Sequence, residues 1–98
     1  MISFKDFKET RLWNGYGPTP KVMAALYFFD AGEGLTKKEI ANRLEGELKE
    51  DELVRGLAGG QETLEILSKE FASERKYYLD EKAKDAFENL HQHVSPPN

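Results

Sequence analysis

The feature that most constrains this chain is the stretch from Leu35 to Phe87, which reads as two helices, a short hairpin and a closing helix in quick succession. It opens on Thr36-Lys37-Lys38-Glu39, a capping box in which the threonine hydroxyl accepts the amide of the third helical residue while Glu39 accepts the amide of the threonine. It closes on Leu79-Asp80-Glu81-Lys82-Ala83, where a strand runs into a helix capped by Asp80.

Between these ends the periodicity sets the elements. The capped helix carries Ile40, Ala41, Leu44 and Leu48 on one face and leaves Lys37, Lys38 and Arg43 to solvent. A second apolar stripe starts at Leu53, Val54 and Leu57 and resumes at Leu64 and Leu67, predicting a third helix from about Asp51 to Glu65. Gly59-Gly60 lies across it. Each glycine costs about 0.8 to 1 kcal/mol relative to alanine in a helix interior, so the helix either stops there or continues because close backbone approach offsets the penalty; a continued or kinked helix is favoured. Ile66 to Phe71 and Arg75 to Leu79 have the spacing of a small antiparallel hairpin, and Ala83, Ala86, Phe87, Leu90 and Val94 recur at helical spacing.

Upstream, Val22 to Phe29 is apolar nearly all round. A strand is conceivable for so short a run, but two alanines and a methionine favour a helix from Lys21 to Ala31, buried on most sides and stopped by Gly32-Glu33-Gly34. Its aromatic residues read as core in preference to a ligand wall. Ser3 to Trp13 places Phe4, Phe7 and Leu12 near one helical face behind a Ser3 cap, and these aromatics must cover either their own domain or a second subunit. Asn14 to Pro20, with two glycines and two prolines, reads as a loop. Residues 95–98 are expected to fray.

A chain of 98 residues is one domain, and six Phe, four Tyr and one Trp supply a core despite a 33 % charged composition. Without cysteine there is neither disulfide nor thiolate zinc site. No apolar run reaches membrane-spanning length and the N-terminus lacks the pattern of a signal peptide, so a soluble, cytoplasmic protein without membrane contact is expected. Net charge is −4, but unevenly spread: residues 1–43 hold seven basic against five acidic residues and residues 44–98 seven against thirteen. The acidity peaks in Glu45 to Glu52, at the connection between the two central helices.

Leu35 to Leu44 resembles the second-helix phrase of winged helix-turn-helix domains, and Tyr77 to Ala86 resembles their strand leading into a C-terminal helix, as in regulators similar to the MarR and PadR groups. The resemblance covers about residues 20 to 90. It implies a mainly α fold with a small β-hairpin, and with the residue reading it divides the chain into an N-terminal arm and loop (1–19), a winged-helix domain (20–94) and a disordered tail (95–98). It also implies a DNA-binding transcriptional regulator whose third helix faces the major groove. The sequence departs from that pattern. With Leu53, Val54 and Leu57 inward, the outward positions are Glu52, Arg55, Gly56 and Gly59, which offer one guanidinium and little side-chain reach behind an acidic helix start.

Cations elsewhere carry the expectation of DNA contact: Lys37 and Lys38 in the first turn of the capped helix, Lys69, Arg75 and Lys76 on the hairpin, and Arg55. Such contacts would run through phosphates and fall steeply with salt. A homodimer is expected, because one module makes few phosphate contacts and the aromatic arm and the last helix, with Phe87 and Leu90, offer apolar surface. The alternative is a protein-interaction module in which Glu47, Glu50, Asp51 and Glu52 and the third helix meet a basic protein partner without DNA. His91 and His93, at i and i+2, point to different sides of a helix and read as surface residues, not metal ligands. No nucleophile with its base and no phosphate-binding glycine loop is visible, so neither an enzyme nor a cofactor is expected.

Overall fold

The structure, a computed structural model, describes residues 2–94. It is mainly helical with a small three-stranded antiparallel sheet. In chain order the elements are α1 (Phe4–Phe7), α2 (Arg11–Asn14), α3 (Pro18–Phe29), β1 (Leu35–Thr36), α4 (Lys37–Leu44), α5 (Glu50–Glu62), β2 (Ile66–Phe71), β3 (Glu74–Leu79) and α6 (Glu81–His93). The expected fraying of residues 95–98 falls outside the described residues.

The N-terminal arm is two short helices where one was predicted. Thr10 interrupts the run, its hydroxyl accepting the Trp13 amide at 3.4 Å to start a second helix. The arm is spent on its own domain: Phe7 and Trp13 are buried, and Phe4 and Phe7 lie 5.3 and 5.5 Å from the Phe28 ring. α3 starts at Pro18, three residues before the predicted Lys21, because a proline in the first helical turn lacks only an amide that would have no intrahelical partner. It ends at Phe29 rather than Ala31. There the Asp30 carboxylate takes the amides of Gly32 and Gly34 at 2.8 and 2.7 Å and turns the chain.

The capping box forms as its residues require: Thr36 Oγ1 accepts the Glu39 amide at 3.1 Å and the Glu39 carboxylate accepts the Thr36 amide at 2.9 Å. Thr36 also ends a strand that periodicity did not announce. The pair Leu35-Thr36 adds to the hairpin, opposite Tyr77 and Lys76, giving the order β1-β3-β2. Two residues are too few to show an alternation.

α5 runs unbroken through Gly59-Gly60. The reason lies in its neighbours, and it corrects the outward assignment of Gly56 and Gly59. Gly56 is buried against α3, where an added Cβ would stand 2.9 Å from the carbonyl carbon and oxygen of Pro18; Gly59 meets Thr19, and Gly60 lies under the Ile66 side chain. Gly56 is what lets α3 and α5 approach backbone to backbone. Two residues of the α5 stripe expected inward are outward instead, as is Ala41 of α4: Val54 is 47 % exposed, and Leu64, just past the helix at φ 64°, is 70 % exposed. The core comprises Leu53 and Leu57 of α5 with Val22, Ala25 and Leu26 of α3, Ile40 and Leu44 of α4, Ile66 and Ala83.

His91 also departs from its surface reading. It is buried at the end of α6, its Nε2 donating to the Ile2 carbonyl at 2.6 Å, with the Tyr27 hydroxyl 3.5 Å from Nδ1 and the Phe28 ring edge-on at 5.0 Å. The aromatic arm folds over this side of the molecule, so a helix end that looked solvated is enclosed. His93 is exposed.

Candidate nucleic-acid interface

The six cations named from the sequence are placed by four elements, and they do not converge on one surface. Lys37, at the start of α4, reaches across the connection to Glu50 at 2.9 Å; this hydrogen-bonded pairing holds the lysine above its ordinary pKa. Arg55 pairs with Asp51 one turn earlier on α5 at 3.8 Å. The acidic helix start thus partly neutralises the two nearest cations. Lys38 projects from the first turn of α4 and is exposed.

The hairpin separates its three cations by face, as a period of two requires. In the register Lys69↔Lys76 and Glu70↔Arg75, the lysines share one face and the arginine takes the other. Arg75 donates to Ser68 Oγ at 2.9 Å and pairs with Glu70 at 2.8 Å. Ser68 is in turn reached by Gln61 of α5 at 3.4 Å, so this is the face turned towards α5. Lys69 and Lys76 are on the opposite face. Lys69 extends over Tyr78 with its ammonium 5.3 Å from the ring centroid, and Lys76 over Phe71 at 5.4 Å.

Sequence reading missed these two rings as candidate functional residues. Their signal was Lys69-Glu70-Phe71 and Lys76-Tyr77-Tyr78, lysine and aromatic two apart on each strand.

The acidic set is also engaged within the domain. Glu47 accepts from Trp13 Nε1 at 3.1 Å and pairs with Lys21 at 3.4 Å, so it faces the arm; Glu52 accepts the Lys49 amide at 2.9 Å and secures the start of α5. Only Glu50 and Asp51 lie beside the exposed face of α5, which continues through Val54, Arg55, Ala58, Gln61 and Glu62. Glu39, the capping-box carboxylate, is held below its ordinary pKa, first by the Thr36 amide.

A groove of about 1000 Å³ lies away from α5 between the arm, β1 and α4. Phe4 and Phe29 line it, with Lys5, Lys8, Arg43 and Lys76 set against Glu33, Glu39 and Glu45. Its charges are of both signs. Among the described residues no group of three or more His, Cys, Asp or Glu is placed to hold a metal ion, and no helix is long and apolar enough to cross a membrane. No protein-family model, curated protein or solved structure matches the chain with significance.

Proposed function

We propose that the chain is a winged helix-turn-helix protein that binds duplex DNA as a transcriptional regulator, through the start of α4, the exposed face of α5 and the α5-facing side of the β2-β3 hairpin. The observation that carries this reading is the arrangement of α4, α5 and the hairpin. Two helices are joined by five residues, the second is flanked by a hairpin tied to it through Gln61 and Ser68, and Lys37, Arg55 and Arg75 border that side. The carboxylates beside these cations weaken the case less than their number suggests. Each pair lies at the surface, and such pairs contribute about 0 to 1 kcal/mol. Exchanging Glu50, Asp51 or Glu70 for a phosphate therefore costs little.

The test is an anisotropy titration of random-sequence duplex at about 50 and about 200 mM salt. Arg55→Glu with Arg75→Glu should remove binding, whereas Glu50→Gln with Asp51→Asn should strengthen it by freeing Lys37 and Arg55. No binding at the lower salt overturns the reading. A second copy would supply further phosphate contacts, and α6 is the surface for it, since Leu90 is half-buried and Ala86 exposed while the arm is already used.

A second reading rests on α5 itself. Its exposed face places Val54 and Ala58 between Glu50, Asp51 and Glu62, with Arg55 as its one cation. An apolar strip with an acidic border suits a basic protein partner better than a phosphate backbone. Under that reading Val54→Glu releases a protein partner and duplex is never bound.

A further inference from the structure

We infer that the hairpin face turned away from α5 is a binding strip for single-stranded nucleic acid, with Phe71 and Tyr78 as stacking rings and Lys69 and Lys76 holding the phosphates between them. This does not depend on the duplex reading, which uses the other face.

Four observations converge on it. Phe71 is 56 % exposed at the end of β2, with the Lys76 ammonium 5.4 Å from its ring centroid. The two-residue turn beyond it, Ala72-Ser73, holds φ at 52° and 70°, so the ring is carried on a tight turn and not on a loose loop. Lys69 and Lys76 are directly opposite each other across the strands, their ammonium groups reach to the Tyr78 and Phe71 rings, and neither makes an ion pair among the described residues, which leaves two like charges free for an anion. The register then places the rings at opposite ends of the lysine pair: Phe71 is four residues along β2 from Leu67, the partner of Tyr78, hence about 13 Å away along the strand direction.

Aromatic rings spaced along a strip of positive charge suit a chain of alternating flat bases and phosphates, and every base has a face to stack. A protein partner would call for contiguous apolar surface, which the lysines interrupt. Glu74, opposite Phe71, lies at the tip, beyond the lysines, and at the other edge of the strip Lys76 also lines the groove shared with Glu33, Glu39 and Glu45. Past Tyr78 the strip continues into a depression of about 330 Å³ lined by Tyr27, Lys69 and Lys84 together with Asp30 and Glu81. The Asp30 carboxylate is already occupied by the Gly32 and Gly34 amides.

The experiment is an anisotropy titration of a labelled thymidine oligonucleotide of about 15 nucleotides, beside a duplex of equal length, at about 50 and about 200 mM salt. Phe71→Leu keeps the apolar bulk but removes the ring, and should weaken oligonucleotide binding about tenfold. Lys69→Gln with Lys76→Gln should flatten the salt dependence, and Arg55→Glu should leave oligonucleotide binding unchanged. Circular dichroism of each variant checks the fold, and Phe71 is exposed enough for its substitution to be tolerated. Absence of oligonucleotide binding overturns the inference and leaves the ring to a protein contact. So does a Phe71→Leu affinity equal to the parent's, which would make the attraction purely electrostatic. Duplex bound without oligonucleotide removes this inference alone, and oligonucleotide bound without duplex removes the duplex reading alone.

Discussion

Thr36 occupies two roles at once, ending a strand and capping a helix, and both depend on its hydroxyl and its extended backbone. Thr36→Ala should cost about 1 kcal/mol in urea denaturation, the usual worth of such a cap. Its partner Glu39 makes part of that stability pH-dependent. Because the folded carboxyl lies below its ordinary value, its contribution is complete above about pH 4.3 and is lost as pH falls through the lower, folded pKa. Denaturation midpoints of Glu39→Ala should therefore converge with those of the parent on the acid side. His91 depends chiefly on its short bond to the Ile2 carbonyl. His91→Phe keeps a ring beside Phe28 but strips the donor from the Ile2 carbonyl, and should cost about 1 to 3 kcal/mol, read as a lower denaturant midpoint.

At the scale of elements, the contact between α3 and α5 positions everything proposed here. Gly56 is its closest point. Alanine there would gain about 0.8 to 1 kcal/mol of helix propensity, but its Cβ would press on Pro18 backbone that cannot swing aside. Overpacking of this kind costs about 1 to 3 kcal/mol, so Gly56→Ala should be net destabilising by chemical denaturation. A net gain would mean that α5 can slide. The same packing explains why the helix does not stop at Gly59-Gly60: continuing sets Gly59 against Thr19 and buries Gly60 under Ile66, and that close approach outweighs the propensity of two glycines.

For the whole molecule, the arm is part of the core and not a loose extension. Phe7 and Trp13 are both buried against α3, and each is worth about 1.5 to 3 kcal/mol of burial. Removing residues 1–14 should therefore lower the thermal midpoint sharply or leave a chain that aggregates, as differential scanning and size exclusion would show. The arm also brings Ile2 to His91, so the truncation and His91→Phe should be less than additive. Charge is partitioned at this scale as well. The acidic connection partly screens the α4-α5 side, while the lysine pair on the far side of the hairpin has no carboxylate bonded to it among the described residues.

What the chain determines by itself is local. The capping box, the Asp80 cap, the hairpin and the order of the last five elements follow from spacing and hydrogen-bonding capacity within a few residues. Only the tertiary structure decided which side of each element faces inward. Val54 and Gly56 exchanged their expected places because the groove on α3 accepts a glycine backbone where it has no room for a larger side chain. His91 was enclosed because an aromatic arm 89 residues away in sequence lies across it. The cations, finally, were divided between two faces and two acidic partners, since whether a charge is available depends on which distant carboxylate the fold brings within reach.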